Sequence, residues 1–333
     1  MSENSRSAAA ELRPVASRHA AASRRDWLPV AIVGGIAAIA ILLAVLVTPS
    51  FLTVDNIRAI LRNAAIVGIV AVAMTPVTLS GNFVSLGITQ SAMLAMVSFV
   101  AMLGAGWGVV PAVIAVILLL VAVGMLQGAI IAVGLNPVIT TLAAGAIIFG
   151  VVSELTRGGI VRAGDNAIDW GVATIAGIPV EVIVFLVFTA LVSFVMERTV
   201  IGRETTLIGA NRATAEISGI SFNRVTIIAF AIFSVGLALA GIINGAAFGQ
   251  ATAVSFPGLT VDVIAAVLVG GTAIQGGRGS PLRSAGGAIL IAVISNMMVL
   301  NDFSTGGRLA VQGGVGGVIV VLLDLLWRRG RRT

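Results

Sequence analysis

Cysteine and lysine are both absent from this chain of 333 residues, so disulfides, thiolate chemistry and any reaction that needs a lysine are excluded. All 20 cationic side chains are arginine, and the one histidine is His19. Charged residues make up only 10% of the chain, against about 25% in soluble domains. No apolar segment combines a serine with a histidine, paired carboxylates or a metal-ligating cluster. The expectation is a protein with no catalytic residue, no metal and no enzymatic activity of its own.

What is present is apolar surface. Hydrophobic residues are 58% of the sequence, the composition of an integral membrane protein rather than a soluble domain. The length accommodates about ten spans of roughly 20 residues with short connections and leaves no room for a sizeable soluble domain. The fold class expected is therefore all-α, a polytopic membrane bundle.

Residues 1–26 are rich in Arg, Ser and Ala without apolar periodicity, and read as a disordered cytoplasmic tail near anionic headgroups. The apolar run 28–48 is longer than the core of a signal peptide and lacks a small-residue cleavage site, so it is expected to remain as the first span. Residues 49–63 read as an amphipathic connection along the outer surface, with Ile57, Ile60 and Leu61 at helical spacing. Further spans are expected at 64–80, 83–104, 109–133, 137–156, 179–198, 225–247, 259–275, 284–300 and 309–327. The membrane-embedded body thus covers 27–328, with the cytoplasmic connection 199–224 inside it, followed by a basic tail at 329–333. With both termini inside, only Arg58, Arg62, Arg157, Arg162 and Arg308 of the 20 arginines lie outside, as the positive-inside rule requires. The longest outer connection, 157–179, carries Asp165, Asp169 and Trp170 for an extracytoplasmic partner.

Inside the spans, titratable groups are scarce: Glu154, Glu181, Asp262 and Asp324 fall near span ends. Proton-coupled transporters keep carboxylates or histidines in the bilayer, and channels keep rings of charge or carbonyls. The interior here carries neutral amides and hydroxyls instead. Asn82, Ser85, Gln90, Asn136, Thr140, Asn244, Thr272 and Asn296, with Asp262, are the candidates for a translocation path. Such groups suit an uncharged polyhydroxylated solute, and equally suit bonds between helices. Of the 40 glycines, pairs four apart (124 and 128, 241 and 245, 313 and 317) are read as close helix packing. Residues 269–287 are too glycine-rich to stay helical. A phosphate loop is excluded there because Gly277 stands where its lysine would be, leaving a helix break at the inner end.

The most polar stretch between spans is GRETTLIGANRATAEISGIS, inside the cytoplasmic connection 199–224. Asn211 is placed to cap a short helix over 212–218, and Gly219 to end it in the left-handed conformation. At roughly 10 Å this helix cannot stand alone in water, so neighbouring spans or a partner must hold it.

This stretch resembles the cytoplasmic coupling loop of permease subunits of bacterial ATP-binding-cassette importers of the ribose type, whose pattern is GRxxxAxGxNxxAAxxSGI. Gly202, Arg203, Gly209, Asn211, Ala215, Ser218, Gly219 and Ile220 match it, while Thr214 replaces the first alanine of the pair. FLTVDNIRAILRN after the first span agrees too, and DVIAAVLVGGTAIQGGRGS is close to the family's DAIAAVVIGGTSLxGGxG. One departure is GNFVSLG at 81–87, where the family usually has GGIDLSVG with its carboxylate. The resemblance implies a multi-pass protein of the bacterial inner membrane with no cofactor on this chain, ATP and Mg being bound by a partner ATPase. Its implied partners are two ATPase subunits on the coupling loops, a second permease subunit, an extracytoplasmic solute-binding protein and membrane lipid, with no nucleic acid. Its solute would be a monosaccharide, polyol or related compound. An ion-coupled secondary transporter and a permease of the branched-chain amino acid type remain the alternatives.

Overall fold

The computed structural model describes residues 51–164, 173–175, 177–314 and 317–318, with isolated positions 35, 42, 46 and 48. The expected tails, nearly all of the first span, residues 165–172 and 176 of the 157–179 connection (with Asp165, Asp169 and Trp170) and the end of the last span lie outside these residues.

The elements in chain order are α1 (Val54–Leu79), α2 (Ile88–Gly104), α3 (Val109–Ala132), α4 (Pro137–Thr156), β1 (Val161–Arg162), β2 (Thr174–Ile175), β3 (Ile178–Pro179) and α5 (Val180–Arg198). They continue with α6 (Val200–Ala210), α7 (Arg212–Ile217), α8 (Phe222–Phe248), β4 (Gln250–Ala251), α9 (Leu259–Val269) and α10 (Pro281–Leu300). Among the described residues six helices, α1, α3, α4, α5, α8 and α10, are long and apolar enough to cross a membrane, and α2 and α9 are shorter apolar helices. The architecture is helical apart from two tiny antiparallel pairs, β1 with β4 and β2 with β3.

Helix α8 is central, packing on α1, α2 and α3, while α10 covers the far side of α1. Small residues allow this approach. A side chain at Gly124 would strike Ser234 and the Phe230 carbonyl, and one at Gly128 would meet Ile227, which brings α3 against α8. Gly241 lies against Ala92, Ala95 and Met96 of α2. With lipid outside as apolar as the core, close van der Waals contact is what favours helix association. The expected pairs at 124/128 and 241/245 therefore sit at helix contacts, whereas Gly313 and Gly317 meet nothing within 4 Å.

Three boundaries differ from the sequence reading. Residues 54–63, expected to lie flat on the surface, are the first turns of α1. Ile60 is buried against Phe51 and Val293, and Asn56 donates to the Phe51 carbonyl. The span expected from 83 begins at Ile88, and the one expected to reach 275 ends at Val269. Two segments in the bundle are thus not helical: residues 80–87, between α1 and α2, and residues 249–258, between α8 and α9. Irregular backbone is tolerated at such depth only where protein satisfies it. Leu86 N–H donates to Thr141 Oγ1, and Thr252 N–H to Ser255 Oγ.

The two segments have the same plan. Each follows a long helix and ends in a glycine N-cap, Gly87 or Gly258, before a short helix opening Ile-Thr or Leu-Thr. Since α1 and α8 run in opposite directions, the units are inverted with respect to one another, an arrangement found in many transporters. Their helix starts meet. Thr89 N–H donates to Thr260 Oγ1 and Thr260 N–H to Thr89 Oγ1, both at 3.2 Å, with the hydroxyls 2.8 Å apart. Each threonine satisfies a backbone donor that the other helix start leaves free. Helix α9, 11 residues and about 16 Å long, is long enough for roughly half a bilayer core.

Candidate functional site: a basic coupling end and a polar cavity

One end of the bundle collects Arg198, Arg203, Arg212, Arg224, Arg278 and Arg283. The polar stretch there, expected as a loop with one short helix, is two helices. Thr199 accepts from Gly202 N–H and starts α6 directly after α5. At Gly202 a side chain would collide with the Met196 backbone, so glycine permits the sharp turn between them. Asn211 does two jobs: its N–H donates to the Leu207 carbonyl, closing α6, and its Oδ1 accepts from Thr214 N–H, opening α7. Helix α7 closes on Gly219, at φ +85°, with Ile220 N–H bonded to the Ala215 carbonyl and Gly219 N–H to that of Glu216. This is a Schellman closure, with Ile220 packed on the cluster of Ile208, Ala215, Phe222 and Val225. Ser218 is exposed and donates to the Thr214 carbonyl.

The outer face of this pair is partly apolar. Ile217 is 90% exposed and Leu207 is 54% exposed, beside exposed Arg203. Arg212 pairs with Glu216 at 2.9 Å and lies 3.6 Å over the Phe222 ring. An exposed pair of this kind adds only about 0.3–0.5 kcal/mol, so burial of Ala215 and Ile208 holds α7 in place.

Beneath the pair, three chain segments touch through backbone. Gly277 N–H donates to the Leu79 carbonyl at 2.9 Å. Gly209 of α6 faces that same bond: a Cβ there would overlap the Leu79 oxygen and stand 2.5 Å from Gly277 N. A Cβ on Gly277 would stand 2.7 Å from Ala210 Cα, and one on Gly276 2.7 Å from Gly81 N. Gly81, Gly276 and Gly277 all have positive φ, between +73° and +89°. Displacing α6 therefore displaces the end of α1 and the glycine-rich connection from α9 to α10. A hydroxyl chain adds to this, Thr272 lying 3.4 Å from Ser284 and Thr75 donating to Ser284 at 2.8 Å.

The path candidates separate by position. Asn82 is buried and donates to Ser80 Oγ and Thr226 Oγ1, tying residues 80–87 to α8. Asn136 is exposed and caps α4 by accepting from Val138 and Ile139 N–H. Thr272 belongs to the hydroxyl chain at the basic end. Ser85 and Thr140 are buried, and Gln90 is half-buried, with Thr140 Oγ1 and Gln90 Oε1 lacking a hydrogen-bond partner among the described residues. Asn244, Asp262 and Asn296 face two adjoining cavities toward the opposite end. The larger, about 390 Å³, lies among α1, α5, α8 and α9 and includes Asn244. The smaller, about 250 Å³, lies among α1, α9, α10 and the helical residues 305–312, and includes Asn296. Asn63, Pro257 and Asp262 border both. Arg62 and Glu181, 3.6 Å apart in the larger cavity, were not among the sequence candidates because they lie 119 positions apart in the chain. Neither were Thr89 and Thr260, although the recurrence of Gly-Ile-Thr and Gly-Leu-Thr was there to be read.

Comparison with known proteins places the chain. Residues 56–323 match the family described as branched-chain amino acid transport system, permease component. The chain is 31% identical over 281 residues to a ribose import permease protein of Haemophilus influenzae, covering 80% of this chain and 85% of the relative. It is 32% identical over 292 residues to a ribose import permease protein of Bacillus subtilis, covering 86% and 89%. Toward a D-allose transport system permease protein of Escherichia coli it is 28% identical over 279 residues, covering 83% and 85%. No solved structure matches. With its apolar helices and matches along most of its length, the chain belongs to this permease family and is a multi-pass protein of the bacterial inner membrane.

Proposed function

We propose that this chain is the transmembrane permease subunit of an ATP-binding-cassette importer for a monosaccharide, polyol or related solute, with the basic end in the cytoplasm. The carrying observation is the α6–α7 pair, which presents Ile217 and Leu207 outward and rests through Gly209 on the Leu79–Gly277 contact. Two ATPase subunits, which bind ATP and Mg, dock on this pair and on that of a second permease subunit. A solute-binding protein delivers cargo from outside. Closure of the ATPase dimer moves α6 and α7 as a rigid unit, and the backbone contacts pass the motion to α1, α9 and α10. In this reading Gly202, Gly209, Asn211, Ala215, Ser218, Gly219 and Ile220 shape the coupling helices and Arg203 borders the docking face. Asn244, Asp262 and Asn296 line the path, while Asn82 and Thr272 join segments that must move together. The monosaccharide class is supported by relatives whose names specify ribose and D-allose.

The test is to tag the C-terminus, solubilise gently and identify by mass spectrometry what remains bound to the wild type and to an Ile217→Asp variant. An ATPase subunit held by the wild type and lost from the variant is the expected result. Recovery of the chain alone, under conditions that keep other importers whole, would instead support an ion-coupled secondary transporter. A cognate binding protein that retains a branched-chain amino acid would replace the sugar.

A further inference from the structure

Glu181 is the feature of the larger cavity that nothing in the coupling mechanism uses. Its side chain is 3% exposed, with one oxygen 3.6 Å from Arg62 Nε and the other, Oε2, buried without a hydrogen-bond partner among the described residues. Asp262 borders the same cavity from the first turn of α9, and its Oδ1 is likewise buried and unpartnered. Arg62 Nε, the nearest donor to Glu181, also lacks a hydrogen-bond partner among the described residues. Both acids are thus poor in donors, and because both border the cavity, an occupant that supplies donors to the parts of them that line it would offset the cost of their burial. Arg62 in this cavity and Arg308 in the adjoining one stand against the two acids, so the surroundings are balanced in charge. The wall between is apolar and includes Phe256, 5% exposed. At about 390 Å³ the cavity falls in the range of small-molecule sites.

We infer that this cavity, inside a single permease subunit, is a holding site for an uncharged polyhydroxylated solute, with Glu181 and Asp262 accepting hydrogen bonds from its hydroxyls. The inference rests on the importer reading above and adds the place and the residues. Hydroxyls donate to the two carboxylates, Asn63 and Asn244 both donate and accept at the rim, and the C–H face of the solute packs on Phe256. The site extends from the start of α5 to the first turn of α9. Leu259 and Asp262 of its lining belong to the first turn of α9, so movement of α9 at the basic end alters the site directly.

Because the chain has no cysteine, Ala247→Cys puts a single thiol into this cavity without touching either carboxylate. The full chain, reconstituted in nanodiscs with its ATPase and binding protein, is treated with a small methanethiosulfonate reagent in the presence of D-ribose, D-allose, D-xylose or L-leucine. Labelling slowed by at least one of the sugars is the expected result; slowing by L-leucine alone, or by none, overturns the inference. In parallel, ATP-driven uptake of the same solutes is measured for Asp262→Asn and Glu181→Gln, with Glu154→Gln as the comparison. Loss of a hydrogen bond to a charged group predicts a KM raised about ten- to a hundredfold with ATPase association retained. Sugar uptake by the wild type with unchanged KM in both variants would sink the holding site and leave the importer reading intact. No sugar uptake by the wild type would remove the sugar importer reading and the site with it.

Discussion

Replacing Gly209 with alanine isolates the backbone contact through which the proposed coupling would act. The added Cβ overlaps the Leu79 carbonyl oxygen and stands 2.5 Å from Gly277 N, whereas ordinary contact begins at 3.4 Å. The partners are backbone and cannot rotate away, so α6 must retreat from Gly277 by roughly 0.9 Å, or the 2.9 Å bond from Gly277 N–H to the Leu79 carbonyl must open. The first costs about 1–3 kcal/mol in overpacking and the second about 1–3 kcal/mol for an orphaned buried N–H. Either route weakens the contact by about 1–3 kcal/mol, enough for α6 to move without carrying α1. The exposed face with Ile217 and Leu207 is untouched, so the ATPase should still bind. The assay is solute imported per ATP hydrolysed in proteoliposomes, with subunit stoichiometry measured on the same sample. The expected result is an assembled complex that hydrolyses ATP with uptake reduced at least tenfold. Gly150→Ala on α4, where a Cβ meets nothing within 4 Å, is the control and should behave as wild type. Normal solute per ATP in an assembled Gly209→Ala complex would refute transmission through this contact.

Ile217→Asp should act in the opposite sense, lowering recovery of the ATPase subunit in pull-downs while the thermal midpoint of the isolated permease stays within a degree or two, since Ile217 is 90% exposed. Asn211→Ala removes the cap of α7 and should cost about 1 kcal/mol of local stability, seen as faster amide exchange over 212–220, with Asn211→Asp retaining the cap. Thr89→Val and Thr260→Val each leave one backbone N–H unpaired and remove the hydroxyl–hydroxyl bond, while the remaining hydroxyl still accepts from the opposite helix start. A double-mutant cycle on the thermal midpoint should give a coupling of about 0.6–2 kcal/mol, and additive effects would mean that the reciprocal caps do not form. Gly124→Leu should push α3 from α8 and lower the yield of folded protein, because a side chain there strikes Ser234 and the Phe230 carbonyl.

Local chemistry was legible in the residues themselves. A sequence more than half apolar, with arginine as its only abundant charge, had to be membrane-embedded. Asn211 and Gly219 announced the ends of α7 because capping depends on side-chain oxygen and backbone φ at single positions. Helix starts and ends that depend on distant partners were not legible. Residues 54–63 look like a surface helix until Phe51 and Val293 cover Ile60, and the start of α2 at Ile88 depends on Thr260, 171 positions away.

The sequence by itself determined the class of protein, the short capped helix at the basic end and the glycine spacing that lets α3, α8 and α2 approach. Each of these is written in composition or within a few neighbouring positions. The tertiary structure decided which polar residues are spent on holding the bundle and which face open space. Asn82 and Asn136 are consumed by protein partners, whereas Glu181 and Asp262 each keep an unpartnered oxygen beside a cavity. A side chain's chemistry is the same in either case. What differs is whether a donor from another helix comes within hydrogen-bonding distance, and only the packing of the whole chain sets that distance.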